Sequence, residues 1–313
     1  MSSIALQISP EAKAAYFKEA ITVAEKELAF VFPDLAAERH SVGGLDFLKL
    51  ERGEVALADL LKLSFVQGIY EVEGDLLRPL DQQADFQLHE DFVFGSKFKG
   101  KTNERLTQML INLGIAAMGA NQDDDITLLD PMCGRATTLF WALRYGINSG
   151  GLERDTKAFA DVQRNLRKWT KLHRQKHKMQ DGFVSKKNKH GTGKFLDFSA
   201  EDTAMKFVVS DGREADQIFK NQKFDLIVSD LPYGVQHTTG DGTRNPLAVV
   251  SEGIGVWKRC LSNRGVMVLA FNANHPKRDK MVGAIEEHGL TVDPFSCPHR
   301  MSESIVRDVL IVR

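Results

Sequence analysis

From residue 126 onward, apolar runs in this 313-residue chain repeatedly end in a carboxylate: Asp130, Glu153, Asp211 and Asp230. The last opens the stretch Asp230-Leu231-Pro232-Tyr233-Gly234. An amino group conjugated with a ring is a poor nucleophile, because its lone pair is delocalised. Two acceptors aligned on its N–H bonds can rotate that pair out of conjugation. Asp230 can supply a carboxylate oxygen and Leu231 a backbone carbonyl, held in place by the fixed φ of Pro232. The carboxylate also stabilises positive charge growing on nitrogen. Tyr233 offers a flat face for a stacked ring, worth roughly 1–3 kcal/mol in single-strand binders. Gly234 lets the chain turn away. Taken alone, Asp230-Leu231-Pro232-Tyr233 could be a strand-terminating turn.

The acids act together only if their strands lie side by side. Strand candidates at 126–129, 149–153, 206–210, 225–229 and 266–271 alternate with helix candidates at 137–145, 157–169, 214–221, 247–261 and 278–288. That alternation implies an α/β, Rossmann-like fold with a mostly parallel sheet covered on both faces. Residues 290–293 and 305–312 are expected to close it as an antiparallel pair at one edge. In a parallel sheet the four acids would line one crevice. Clustered carboxylates repel one another unless a cationic or hydroxyl-rich ligand lies among them. S-adenosylmethionine offers a sulfonium, an ammonium, a ribose diol and an exocyclic amine. Glu153 follows the first turn by about twenty residues, the separation of an acid that grips ribose hydroxyls in nucleotide-binding βαβ units. Asp211, followed by Gly212, can accept a hydrogen bond from the adenine amine.

The motifs also carry a resemblance. Residues 100–313 resemble a class I S-adenosylmethionine-dependent methyltransferase, and within that fold the RNA guanosine-N2 methyltransferases related to THUMP-containing tRNA enzymes. The likeness rests on Asp130-Pro131-Met132-Cys133-Gly134, Gly151-Leu152-Glu153-Arg154-Asp155, Ser229-Asp230-Leu231-Pro232-Tyr233-Gly234 and Phe98-Lys99-Gly100-Lys101-Thr102. It implies a methionyl-binding loop at Asp130, Met132, Cys133, Gly134 and Thr137, a ribose site at Glu153 and Arg154, and an adenine site at Asp211 and Gly212. It places Thr102 beside the cofactor and gives the amine grip to Asp230, Leu231, Pro232 and Tyr233. The implied product is N2-methylguanosine, in tRNA in preference to rRNA. Departures from the family pattern are Leu231, where Pro is commoner, and Gly134-Arg135-Ala136 in place of Gly-x-Gly. Ala136 is acceptable inside a helix but strained where φ must be positive. Arg135 could pair with the methionine carboxylate. Two other readings stay open: amino methylation of adenine or of a protein glutamine, and an RNA-binding module that has lost turnover.

The net charge of −1 hides an uneven distribution. Residues 163–194 hold eleven Lys or Arg against one acid, leaving 30 bases against 41 acids elsewhere. A basic island on an acidic body suggests a localised polyanion contact, with steep salt dependence. Arg164, Arg167, Lys168, Lys171, Arg174, Lys176 and Lys178 are expected to extend a helix, with Lys186, Lys187, Lys189 and Lys194 in a following loop. His173 and His177 are four apart but have no Cys or carboxylate beside them, so no metal is expected. The three cysteines are widely spaced, which indicates neither a zinc site nor a disulfide framework. The N-terminus lacks a signal pattern and no apolar run reaches membrane-spanning length, so a cytoplasmic location is expected.

Ahead of the methyltransferase region, residues 11–31 read as one amphipathic helix stopped by Pro33. Strands at 45–50 and 68–72 flank a helix at 55–65. A small α+β domain over 1–98, possessing an RNA-binding role by expectation and ending in a linker at 78–98, therefore precedes a domain over 99–313 with a basic insertion at 171–204. Thr102 is expected to cap a helix over 103–118. Residues 235–245 read as a flap over the substrate.

Overall fold

The computed structural model describes residues 3–98, 101–120, 124–184, 193–232, 246–301 and 305–313. Strands β1 (Ser3–Ile8), β2 (Ala37–Val42), β3 (Leu45–Glu51), β4 (Val66–Glu73) and β5 (Leu76–Pro79) form an antiparallel sheet in the order β2-β3-β1-β4-β5. β1, which sequence reading missed, is its central strand; Ile4, Leu6 and Ile8 are buried. The expected helix over 11–31 is instead two, α1 (Pro10–Tyr16) and α2 (Ala20–Val31), broken at Phe17 with φ 50°. Tyr16, Val23, Ala24 and Leu28 still face one core. Only one turn of the expected 55–65 helix forms, α3 (Leu57–Leu60). The short α4 (Asp91–Phe94) interrupts the stretch read as a linker.

α5 (Glu104–Met118) joins the two halves. Its cap is Asn103, not Thr102: Asn103 Oδ1 accepts from the Leu106 amide at 3.0 Å. Leu106, Met109, Leu110 and Leu113 belong to one buried cluster with Leu28 and Leu48 on one side and Leu128 and Val268 on the other. A polar junction crosses the same contact. Glu27 Oε1 accepts from the Ser64 amide at 2.9 Å and Asn112 Nδ2 at 2.7 Å, and Tyr145 Oη donates to Asn112 Oδ1 at 2.6 Å. Burial raises the Glu27 pKa, against the pull of its donors.

The second sheet contains β6 (Thr127–Asp130), β7 (Asn148–Glu153), β8 (Lys178–Phe183), β9 (Lys194–Ala200), β10 (Thr203–Val209), β11 (Phe224–Asp230), β12 (Leu261–Asn272), β13 (His299–Arg300) and β14 (Val306–Val312), in the order β13-β14-β12-β11-β6-β7-β10-β9-β8. The stretch from β12 to β10 is parallel; the pairs outside it are antiparallel. The helices are α6 (Thr137–Tyr145), α7 (Thr156–Leu172), α8 (Ala215–Phe219), α9 (Pro246–Cys260) and α10 (Arg278–Glu286). Buried clusters lie on both sides of the sheet strands, which fits apolar runs with little alternation. At the C-terminal edge β14 pairs with β12 and β13, and Val292 bridges Val312.

The basic stretch differs from expectation. α7 ends at Leu172, Arg174 has φ 51°, and Lys178 begins β8. β8 and β9 then pair as a hairpin that widens the sheet. Lys186, Lys187 and Lys189 lie outside the described residues, as do Tyr233, Gly234 and the 235–245 loop.

Candidate active site

The four acids stand at the carboxyl ends of the adjacent strands β10, β7, β6 and β11. Asp130 pairs in register with Gly151, and Glu153 with Val209. β6 and β11 are parallel neighbours through Leu128↔Leu226 and Leu129↔Ile227. From β6 the chain goes to β7 on one side, while β11 lies on the other. Strand order therefore reverses here, where open α/β sheets bind ligands.

Asp130 is 2 % exposed. Its Oδ1 accepts from the Met132 amide at 3.0 Å and from Ser229 Oγ at 3.0 Å. Burial pushes its carboxyl up to about 7 despite these donors, and nearby Asp230 adds to the rise. Glu153 closes the turn from the next strand: Oε2 accepts from the Gly134 amide at 2.9 Å and Oε1 from the Asp155 amide at 2.7 Å. Gly134 has φ 55°, and a Cβ there would meet no atom within 4 Å. The turn thus presents a bare backbone face beside two carboxylates. Cys133 is buried under it, and burial drives its thiol pKa well up. That environment disfavours a thiolate nucleophile.

Ala136 adopts φ 64°, ψ 28° immediately before α6. A left-handed conformation costs a non-glycine residue roughly 1–2 kcal/mol; the fully buried methyl offsets part of it. Ala136 is thus outside the helix, in the strained case. Arg135 does not face the turn as supposed. It pairs with Asp155 at 2.8 Å and Asp161 at 3.2 Å at the start of α7. The Thr137 hydroxyl is buried without a hydrogen-bond partner among the described residues.

Asp211 is held by Arg213 at 2.9 Å and lies 3.4 Å from Arg154. Its burial raises the pKa, but the Arg213 hydrogen bonds and charge bring it below the usual value. Gly212 packs on the first turn: a Cβ there would sit 2.3 Å from the Pro131 carbonyl oxygen. Replacing Gly212 with Ala should therefore push the two loops apart and destabilise the fold by about 1–3 kcal/mol. Thermal unfolding of Gly212→Ala measures this; an unchanged midpoint would mean the loops part without cost.

Asp230 ends β11 with its side chain 9 % exposed. Its Oδ2 accepts from Arg307 Nη2 at 2.9 Å, and Arg307 on β14 is 4 % exposed. Leu231 is buried, its amide donating to the Ala270 carbonyl at 2.9 Å, and Pro232 follows partly buried. Sequence reading passed over Arg307, because one Arg in a terminal apolar strand, Val306-Arg307-Asp308-Val309, has no spacing signal. Thr102 is partly buried at the foot of α5 and has no contact to the four acids among those described.

Strand order, antiparallel final strand and acid-lined switch point define an S-adenosylmethionine-dependent methyltransferase fold. Residues 99–288 match the family model UPF0020, described as the RMKL-like methyltransferase domain, and the chain belongs to that family. No curated protein matches significantly. TrmN from Thermus thermophilus superposes over 100 % of this chain and 99 % of its own at 11 % identity, TM-score 0.53. Magnesium protoporphyrin IX methyltransferase from Synechocystis, solved with bound S-adenosylmethionine, covers 71 % of this chain and 88 % of its own at 11 % identity, TM-score 0.42. Precorrin-6y C5,15-methyltransferase from Geobacter metallireducens covers 69 % and 91 % at 13 % identity, TM-score 0.40. The cofactor is S-adenosylmethionine. The open face at Gly134, the Thr137 hydroxyl unpartnered among the described residues and the acidic strand ends suit its charge and its polar groups. Among the described residues no helix is long and apolar enough to cross a membrane.

Proposed function

We propose that this chain methylates an exocyclic amine of RNA, forming N2-methylguanosine, in tRNA in preference to rRNA. The observation that carries this reading is Asp230, fixed by Arg307 at the end of β11 and next to the Asp130 turn. Arg307 holds one carboxylate oxygen, which restricts the orientations the group can take toward an incoming amine. The cofactor supplies a methyl group on a sulfonium. The chain's part is to align the acceptor amine: Asp230 and the Leu231 carbonyl take its N–H bonds, Pro232 fixes the turn and Tyr233 stacks the base. No strong base is needed, since the proton leaves after transfer. Asp130, Met132, Cys133, Gly134 and Thr137 are assigned to the methionyl end, Glu153 and Arg154 to ribose, and Asp211 and Gly212 to adenine, with Thr102 nearby. Arg307 is a positioning residue in this scheme.

RNA contact is assigned to the basic face of α7 and the β8–β9 hairpin, with the 1–98 unit as a second surface. Arg164, Arg167, Lys168, Lys171, Arg174, Lys176 and Lys178 are all exposed. Phe183 is 49 % exposed at the hairpin tip, which gives a stacking platform among the charges. The test is transfer of labelled methyl from S-adenosylmethionine to total RNA, followed by nucleoside mass spectrometry. Label in N2-methylguanosine is the expected result. Label in N6-methyladenosine would overturn the guanine assignment, and RNA binding without transfer would point to an inactive module.

A further inference from the structure

We propose that His89, Asp91 and His173 form a binding site for a divalent transition-metal ion such as Zn²⁺, tying the segment before α5 to the end of α7. The sequence separates these residues too widely for a metal-binding pattern to show. His177, the neighbour four residues from His173, turns elsewhere: its ring stacks on Phe198 at 5.6 Å. The fold instead brings His173 against α4. One ligand-type atom from each of His89, Asp91 and His173 can be chosen so that all lie within 4.8 Å of one another.

The separations suit one ion. His173 Nε2 is 2.8 Å and His89 Nδ1 3.4 Å from the same oxygen, Asp91 Oδ2. Donors sharing a tetrahedral zinc at 2.0–2.2 Å bond lengths are about 3.3 Å apart, so the separations match, and seating the ion requires the exposed His89 ring to swing out of its stack on His173. Without the ion the imidazoles stack at 3.8 Å with 19° between their planes, so their in-plane lone pairs converge only once the His89 ring turns. His89 Nδ1 accepts from the Asp91 amide at 3.1 Å, a hydrogen bond that ligation through Nδ1 would replace. Two imidazoles and one carboxylate form a donor set used by zinc and by non-haem iron.

The frame is built without the ion. Asn165 Nδ2 donates to the Phe92 carbonyl at 3.0 Å, and Trp169 Nε1 to Ser96 Oγ at 3.0 Å. Trp169 stacks on His173 at 6.0 Å. α4 and α7 are therefore docked before a ligand arrives, so little ordering cost remains for binding. The side chains are 48 %, 31 % and 22 % exposed for His89, Asp91 and His173, leaving a solvent side where water can complete the shell.

The test uses the full-length chain after chelator treatment, titrated with Zn²⁺ by calorimetry and with Co²⁺ by visible absorption. The expected result is one ion per chain and a Co²⁺ spectrum lacking thiolate bands. Affinity should fall at least tenfold in His89→Ala and in Asp91→Asn, and stay unchanged in His177→Ala. His89 is half exposed, so its variant tests the site with little risk to folding. No binding by the wild type, or binding equal in His89→Ala and the wild type, would overturn the assignment. Methyl transfer is not the readout, so this result stands apart from the reaction proposed above.

Discussion

Asp230→Asn should lower methyl transfer at saturating cofactor by roughly 10²–10³-fold, the loss typical when one preorganised electrostatic partner is removed. Asn keeps the volume and offers an oxygen to Arg307 Nη2, but then turns its own N–H₂ toward the substrate amine. Donor would face donor, and no charge would answer the cation forming on nitrogen. Cofactor affinity should stay within a few-fold, because Asp230 addresses the acceptor and not the donor. Ala is a poorer probe. It strips Arg307 of a buried carboxylate partner, and breaking such a pair typically costs about 3–5 kcal/mol. Loss of activity in Asp230→Ala would then mix folding with chemistry. Single-turnover rates and cofactor titrations on Asp230→Asn separate the two. A rate within tenfold of wild type, or equal losses of rate and cofactor affinity, would remove Asp230 from the role of amine acceptor.

S-adenosylmethionine should bind more tightly as pH rises toward 7 and level off above it. Asp130 is lifted from 3.8 to about 7, first by burial, while the methyl donor carries positive charge at its methionyl end. If the ionised carboxylate receives the cation, binding below pH 7 must expel a proton. Affinity then gains about tenfold per pH unit up to that point. Stability runs the other way. Between 3.8 and about 7 the unfolded chain has released this proton and the folded chain has not. Asp130 therefore costs stability progressively as pH rises through that window, with the full cost above it. Asp130→Asn should flatten both profiles. Calorimetry in buffers of different ionisation enthalpy counts the released proton directly. A wild-type affinity that does not change between acid and neutral pH would sink the assignment of Asp130 to the cationic end.

The residues assigned to the chemistry advertise themselves locally. A carboxylate after a short apolar run, a glycine turn and a helix start are consecutive in the chain, so Asp130, Gly134 and α6 are legible together. The same holds for Asp230-Leu231-Pro232. Alternation of apolar strands and helices was enough for a parallel sheet, because burial on both faces leaves a continuous apolar run whatever the neighbours are. β1 was missed because its run is short and its pairing partners, β3 and β4, come later in the chain. The hairpin β8–β9 was missed because solvent-facing basic residues have no period that tells a helix from an edge strand.

What the chain order could not decide is who meets whom across the fold. Arg307 reaches Asp230 from 77 residues away, and His173 reaches Asp91 from 82. Arg135 is drawn off the cofactor turn by carboxylates on α7. Each of these is a polar side chain whose partner lies far away in the chain, and no local periodicity encodes that. The sequence by itself determined the strand ends and their acids, since both depend on adjacent residues. The tertiary structure alone decided which of those acids is buried, which is paired, and therefore which proton is held near neutrality.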